Sequence, residues 1–325
     1  MAIGLEQVQM QYQFVLDDYM AGKLSLPQLK EGVQWERLWQ WPFENYAPIF
    51  ETARDQQIPL LALNVNSQDL ELVETGGLPN LTPALLQQYI PDRQGFANFA
   101  KGPSFPTYVD YVIRPSYDLH AALGLLDSNW QGEKLKERMS FRNFFSSRIL
   151  WDECMATRAY EWTTNKNNGG DGMDAKSNNN NRLLIGLVGA DHVKLEKGIP
   201  GRYARMLASS GKGGDSVSVL LNPTLSDTRP AASVDAMMAN NNLLAANVDQ
   251  LTLQLRYLKA GLQEDEDRSL PSSTGGVLSM ADYLLVNCTA RSRQALVLLV
   301  LVYSSNIMEE SVTLAAVSFD NERTS

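Results

Sequence analysis

The chain has 325 residues, 44% of them hydrophobic, and a net charge of −9. That length holds one large domain or two ordinary ones, and the hydrophobic share suffices for a buried core. The negative balance excludes non-specific binding to nucleic acid, which needs a positive field. Small molecules and proteins remain as partners.

Ala2 to Glu6 reads as a strand that runs straight into a helix over Gln7–Met20, where Val8, Tyr12, Val15, Leu16 and Tyr19 recur at helical spacing. The opening MAIGLEQVQMQ has neither the basic nor the apolar region of a signal peptide, so no compartment is read from it. Ser25 caps a second, short helix. Trp35, Trp39, Trp41, Phe43 and Tyr46 form an aromatic cluster that reads as core packing or as a stacking wall for a flat ligand. A helix follows over Phe43–Gln57. Leu60 to Asn66 then reads as a buried parallel-type strand, with Asn64 and Asn66 at its carboxyl end. Ligands of open α/β sheets bind at such ends. Asn64 reads equally as a turn residue opening the next helix.

Helices are expected over Gln68–Glu74 and Thr82–Tyr89. Asp92 to Ser116, rich in Gly, Pro and aromatic residues, reads as a long loop of the kind that forms lids and ligand walls. His120, at the start of a short helix, receives no role. Phe141 to Trp162 is the strongest helix. Arg148 and Asp152 lie four apart on it, as an intrahelical ion pair would, among Phe145, Ile149, Trp151 and Met155. Cys154 reads as a small buried hydrophobe, and two cysteines are too few for a disulfide framework. Asn165 to Asn181 is polar and of low complexity, and reads as a disordered insertion.

Arg182 to Met206 organises the rest. Leu183 to Val188 is an unbroken apolar run, the pattern of a strand covered on both faces. Gly189, Ala190, Asp191 and His192 follow at its carboxyl end, where a ligand site is expected. Gly198-Ile199-Pro200-Gly201 is turn chemistry leading into a helix, with Arg202 and Arg205 on one face. His192, between an Asp and an Arg pair, points to an anion or metal site; a histidine after a strand also serves structure alone.

Ser216 to Leu221 is another strand, and Ser226–Ala246 is polar and weakly patterned, with an Asn cluster at 240–242. Gln263–Ser273 reads as a mobile loop, and a last strand falls near 282–286. The apolar run Ala295–Tyr303 falls short of the roughly 20 residues that span a bilayer. Strands alternating with helices give an α/β fold, a mainly parallel sheet flanked by helices.

Several blocks occur in order: Gly4-Leu5-Glu6; Asp17 to Ser25; WERLWQWPFENYAPIFETARDQQIPLLALN from Trp35; LWDECMA at 150–156; GADHVKLEKGIPGRYARM at 189–206. LLNPT and ADYLL extend them to about 286. Together these blocks resemble the ChaN-like haem-binding uptake proteins of the Tiki superfamily. The resemblance implies two Gly-x-x-His/Glu motifs at strand ends, and Gly189-x-x-His192 matches the second. The first, Gly-Glu-x-His on a strand before Gly-Leu-Glu, has no match, so an N-terminally incomplete domain over 1–287 with an unpaired sheet edge is expected, followed by an atypical tail at 288–325.

The implied function is haem or porphyrin binding in iron or haem handling, without catalysis, and with a homodimer compatible. The implied cofactor residues are Gly189, Asp191, His192, Arg202 and Arg205, with the arginines facing the propionates. The family's axial ligand resembles a tyrosinate, which cannot be assigned among the twelve tyrosines here. The alternatives are a hydrolase of the Tiki or erythromycin-esterase kind, using Glu6, Asn64 and His192 with or without a divalent metal on His192, and an inactive fragment.

Overall fold

The computed structural model describes residues 1–164, 182–221, 281–285 and 296–303, giving 283–285 and 296–303 as backbone. The insertion at 165–181, the stretches 226–246 and 263–273, Cys288 and residues 304–325 lie outside the described residues.

The chain opens with β1 (Ala2–Gln9), then α1 (Gln13–Met20), α2 (Leu26–Gly32), α3 (Trp35–Leu38) and α4 (Ala47–Asp55). Next come β2 (Leu60–Asn64), α5 (Ser67–Gly76), α6 (Pro83–Tyr89), α7 (Arg93–Phe99), α8 (Phe105–Tyr108) and α9 (Arg114–Ala122). The long α10 (Phe141–Thr164), β3 (Arg182–Gly189), α11 (Ile199–Ser209), β4 (Asp215–Leu221), β5 (Tyr283–Leu285) and β6 (Leu296–Tyr303) complete it.

The sheet order is β2-β1-β3-β6-β4-β5. β1 is parallel to β2 and to β3, and β4 to β5; β6 runs antiparallel between β3 and β4. The expected α/β fold with a mainly parallel sheet is what forms. β6 is the short apolar run to which the sequence reading gave no element. β1 is paired on both sides.

β1 and β2 bury both faces, and β3 does so over its last residues, which is why the sequence shows apolar runs without alternation there. On one face Ala2, Leu61, Leu63 and Leu184 pack against Met155, Ala156 and Ala159 of α10 and Tyr203 and Met206 of α11. On the other, Leu5, Ala62 and Leu187 pack against α1, α4 and the aromatic cluster. Trp35, Phe43 and Phe50 are core residues there, with Trp35 edge-on to Phe43 at 5.0 Å between ring centroids. Such a pair adds about 0.5–1.5 kcal/mol beyond its area. Trp35, Phe43 and Tyr46 therefore serve packing, on the face away from α10, and the stacking-wall reading is corrected for them, while Trp41 stays exposed.

Two boundaries also change. The first helix begins at Gln13, because β1 continues through Gln7 and Gln9, whose buried amides bond to Leu187 O and to Ser67. The expected loop at 92–116 is helical. Asp92 caps α7, and Pro106 stands in the first turn of α8, where a missing N–H is not needed. The chain then stays helical from α8 through a π-helical stretch, Val109–Ile113, into α9, and Pro115 falls just after that stretch without ending the helix.

α10 lies between the sheet and this helical layer. One side joins the sheet-facing core and another, through Phe144, Leu150 and Cys154, the core under α7–α9. A helix buried on several sides must find partners for its polar residues. Asp152 and Glu153, at 1% and 0% exposure, are the two that matter.

Candidate functional site

β3 ends at Gly189, and a single 3-10 turn, Ala190–His192, carries the imidazole back over the sheet end. The loop is held by close backbone approach. A Cβ on Gly198 would stand 1.9 Å from His192 O, and one on Gly201 would stand 1.9 Å from Glu196 O. Leu195 and Glu196 between them take left-handed φ of 58° and 55°, a conformation that costs non-glycine residues of order 1–3 kcal/mol. The glycines of the Gly-Ile-Pro-Gly turn thus fix where His192 sits.

Glu6 projects from β1 on the α10 side, beside Gly189. Its Oε2 accepts from Gly189 N at 2.5 Å, and its Oε1 lies 3.2 Å from His192 Nε2. The other ring nitrogen, Nδ1, lies 2.5 Å from Asp152 Oδ1. Asp152 Oδ2 accepts in turn from the Tyr108 hydroxyl at 2.8 Å. Glu6, His192, Asp152 and Tyr108 are 3%, 3%, 1% and 1% exposed, so the chain of four is out of water. Asn64 donates from Nδ2 to the Glu6 carbonyl at 2.7 Å, pinning β1 to β2 at this level, while its Oδ1 is buried without a partner.

The electrostatics follow from this geometry. Burial disfavours the His192 cation, but Glu6 and Asp152 outweigh burial and the nearby Arg148, and the imidazole is pushed up to about 9. Burial likewise opposes the Glu6 carboxylate, but His192, Gly189 N–H and Arg148 prevail and hold it below its usual value. At neutral pH His192 is therefore an imidazolium donating to both carboxylates. Burial pushes the Tyr108 phenol well up, reinforced by Asp152, so it stays protonated. Trp151 covers this group, its ring 5.3 Å from that of His192, and the Arg148 guanidinium stacks over Trp151 at 5.5 Å.

The other sequence candidates divide. Gly189 belongs to the group through its N–H. Asp191 pairs with Lys194 at 2.8 Å, and that cation with Arg148 holds its carboxyl low against burial. Arg202 and Arg205 turn to Glu153, at 2.9 Å and 2.5 Å. Asp152 was expected to pair with Arg148; its two oxygens go instead to His192 and Tyr108. Sequence reasoning missed Tyr108 and Glu153. Two adjacent acids, Asp152-Glu153, inside an otherwise apolar helix were the available signal, since buried carboxylates require partners. His120 lies in the last turn of α9, with Nδ1 2.7 Å from Ser116 O.

The donor set does not fit an axial ligand for haem iron. Both His192 nitrogens are occupied by carboxylates, and the Tyr108 oxygen is a buried phenol committed to Asp152. Among the described residues, no group of three or more His, Cys, Asp or Glu side chains is placed to hold a metal ion. Among the same residues, no helix is long and apolar enough to cross a membrane.

No curated protein and no solved structure matches the chain. A family model does, that of the haem-binding uptake proteins of the Tiki superfamily, ChaN, over residues 1–202. That span contains Glu6, Tyr108, Asp152, Gly189 and His192 and most of the chain. The chain belongs to the haem-binding uptake, Tiki superfamily, ChaN family.

Proposed function

We propose that this chain binds haem or a free porphyrin at the carboxyl edge of β1 and β3, in iron or haem handling, and holds the ligand without transforming it. The family match over residues 1–202, which spans the whole Glu6–His192–Asp152–Tyr108 group, carries the reading. In this reading His192 is not an iron ligand. It forms part of a rigid charged floor, and the macrocycle meets the half-buried indole of Trp151, with Arg148 beside it for a propionate. A haem titration of the full chain, followed at the Soret band, tests it. Saturable binding is expected, weakened about tenfold in Trp151→Ala, the loss of roughly 1.4 kcal/mol of ring contact. The Soret maximum of bound haem is expected to stay in place in His192→Gln. A spectrum unchanged on mixing overturns the reading.

A second reading, a hydrolase using Glu6, Asn64 and His192, is favoured by one observation: a carboxylate faces each nitrogen of the imidazole, as in acid–base relays. Held protonated up to about pH 9, His192 would serve as an acid and not as a base near neutrality. Turnover of a panel of nitrophenyl esters, lost in Glu6→Gln, would support this reading; no turnover between pH 6 and 10 removes it.

A further inference from the structure

α11 carries a second buried charged group. Glu153 accepts from Arg202 Nη1 on one oxygen and from Arg205 Nη2 on the other. One carboxylate is thus shared by two guanidiniums. Among the described residues, Arg202 Nε and Nη2, and Arg205 Nε and Nη1, are buried with no hydrogen-bond partner. Arg202 is 1% exposed. Its Nε and Nη2 lie on one edge of the guanidinium, so an entire two-donor fork is unused. Asp92 does not fill it. Its Oδ2 is 3.8 Å from Arg205 Nε, beyond hydrogen-bond reach, and its Oδ1 caps α7 at Gly95 N.

Among the described residues the charge is also unbalanced. The Phe99 ring has three cations around it, with Arg202 at 5.0 Å, Lys197 at 5.5 Å and Arg205 at 5.8 Å from its centroid. Glu153 and Asp92 are the carboxylates paired with them. Water would satisfy the idle donors but not the excess positive charge; an oxyanion does both, and the parallel donors of a guanidinium edge match two oxygens of one anion.

We propose that the free edge of Arg202, with Arg205 and Lys197 beside it, binds the oxyanion of a small ligand, a carboxylate or a phosphate. The site stands on its own geometry, whether or not the chain takes a tetrapyrrole. Arg205, 12% exposed at its side chain, and the half-buried Lys197 form its outer side, so the anion enters between α7 and α11.

The test is thermal unfolding of the full chain with inorganic phosphate, at ionic strength matched by chloride. Wild type is expected to show a saturable rise in Tm above the chloride control. Lys197→Gln, which alters the outer side only, and Arg205→Gln, which leaves Glu153 its bond to Arg202, are expected to fold and to need at least tenfold more phosphate. A rise no larger than with chloride, or one equal in wild type and Arg205→Gln, overturns the proposal. Two further arms identify the source of the oxyanion. If phosphate displaces protoporphyrin, and the porphyrin dimethyl ester binds more weakly than the free acid, the anion is a propionate. If phosphate binds without such competition, it is a free small anion.

Discussion

Two neighbouring residues of α10 anchor networks of opposite character. Asp152 completes a closed group: each nitrogen of His192, both oxygens of Glu6 and the hydroxyl of Tyr108 have partners. Glu153 completes an open one, in which one carboxylate serves two guanidiniums and four guanidinium nitrogens are left without partners among the described residues. Adjacent positions on a helix point about 100° apart, so one turn of backbone presents a carboxylate to the sheet edge and another to α11. The closed group is built to hold a shape and a proton. The open group is built to receive something. Burial is nearly equal in the two, so burial alone does not distinguish support from site; the count of idle donors does.

The largest effects should come from removing either carboxylate. Taking one partner from a buried ion pair costs about 3–5 kcal/mol. Glu153→Ala is expected at the upper end, because two guanidiniums lose their shared partner. Asp152→Ala should cost less, since His192 keeps Glu6. Urea unfolding of the two variants measures the difference, and equal losses would dissolve the contrast. Phosphate should restore part of the loss in Glu153→Ala and none in Asp152→Ala.

A second contrast is in pH. The folded value of His192, about 9, lies above its ordinary 6.5. Its contribution is therefore full below pH 6.5 and lost as pH rises through 9, on the order of 3 kcal/mol. Glu6 has the opposite sign: held low, it stabilises above pH 4.5, and that share goes as pH falls. Stability measured from pH 6 to 10 should fall in wild type and stay flatter in His192→Gln. Next in size is Tyr108→Phe, which removes one donor from Asp152 and should cost about 1–2 kcal/mol by urea unfolding, the worth of a hydrogen bond to a charged group that keeps another partner.

How much of this was readable depended on whether the governing partner was near in sequence. The strands at 60–64 and 183–188 were plain as apolar runs, because a strand covered on both faces has no polar side; the one at 216–221 showed instead through its Ser-Val alternation and apolar end. Gly189 and His192 were found from a strand end and Glu6 from the family resemblance, and the structure brings the three together. β6 was passed over, since its partners β3 and β4 lie far upstream and an isolated apolar run carries no sign of pairing. Asp152 was noticed but given the helix neighbour Arg148, the only partner a local spacing rule can offer; its true partners are 40 and 44 residues away. Tyr108 was hidden because prolines at helix starts look like prolines in loops. The face shared by Arg202 and Arg205 was foreseen, and Glu153 opposite them was not.

The smallest effect gives the sharpest separation. Arg148 has no direct ion pair with His192, yet its charge lowers the pKa of both His192 and His120. These are the two histidines of the chain, so a proton NMR titration has two imidazole signals to follow. In wild type, one should titrate below 6.5, because burial leads the shift of His120, and the other near 9. Arg148→Gln should move both midpoints upward, while stability at pH 7 changes by no more than about 0.5 kcal/mol, as for most substitutions near the surface. Arg205→Gln should move neither, since Arg205 is not among the charges that shift either imidazole. A shift of His192 in Arg205→Gln would mean that the two networks titrate as one and that the boundary drawn between Asp152 and Glu153 is not real.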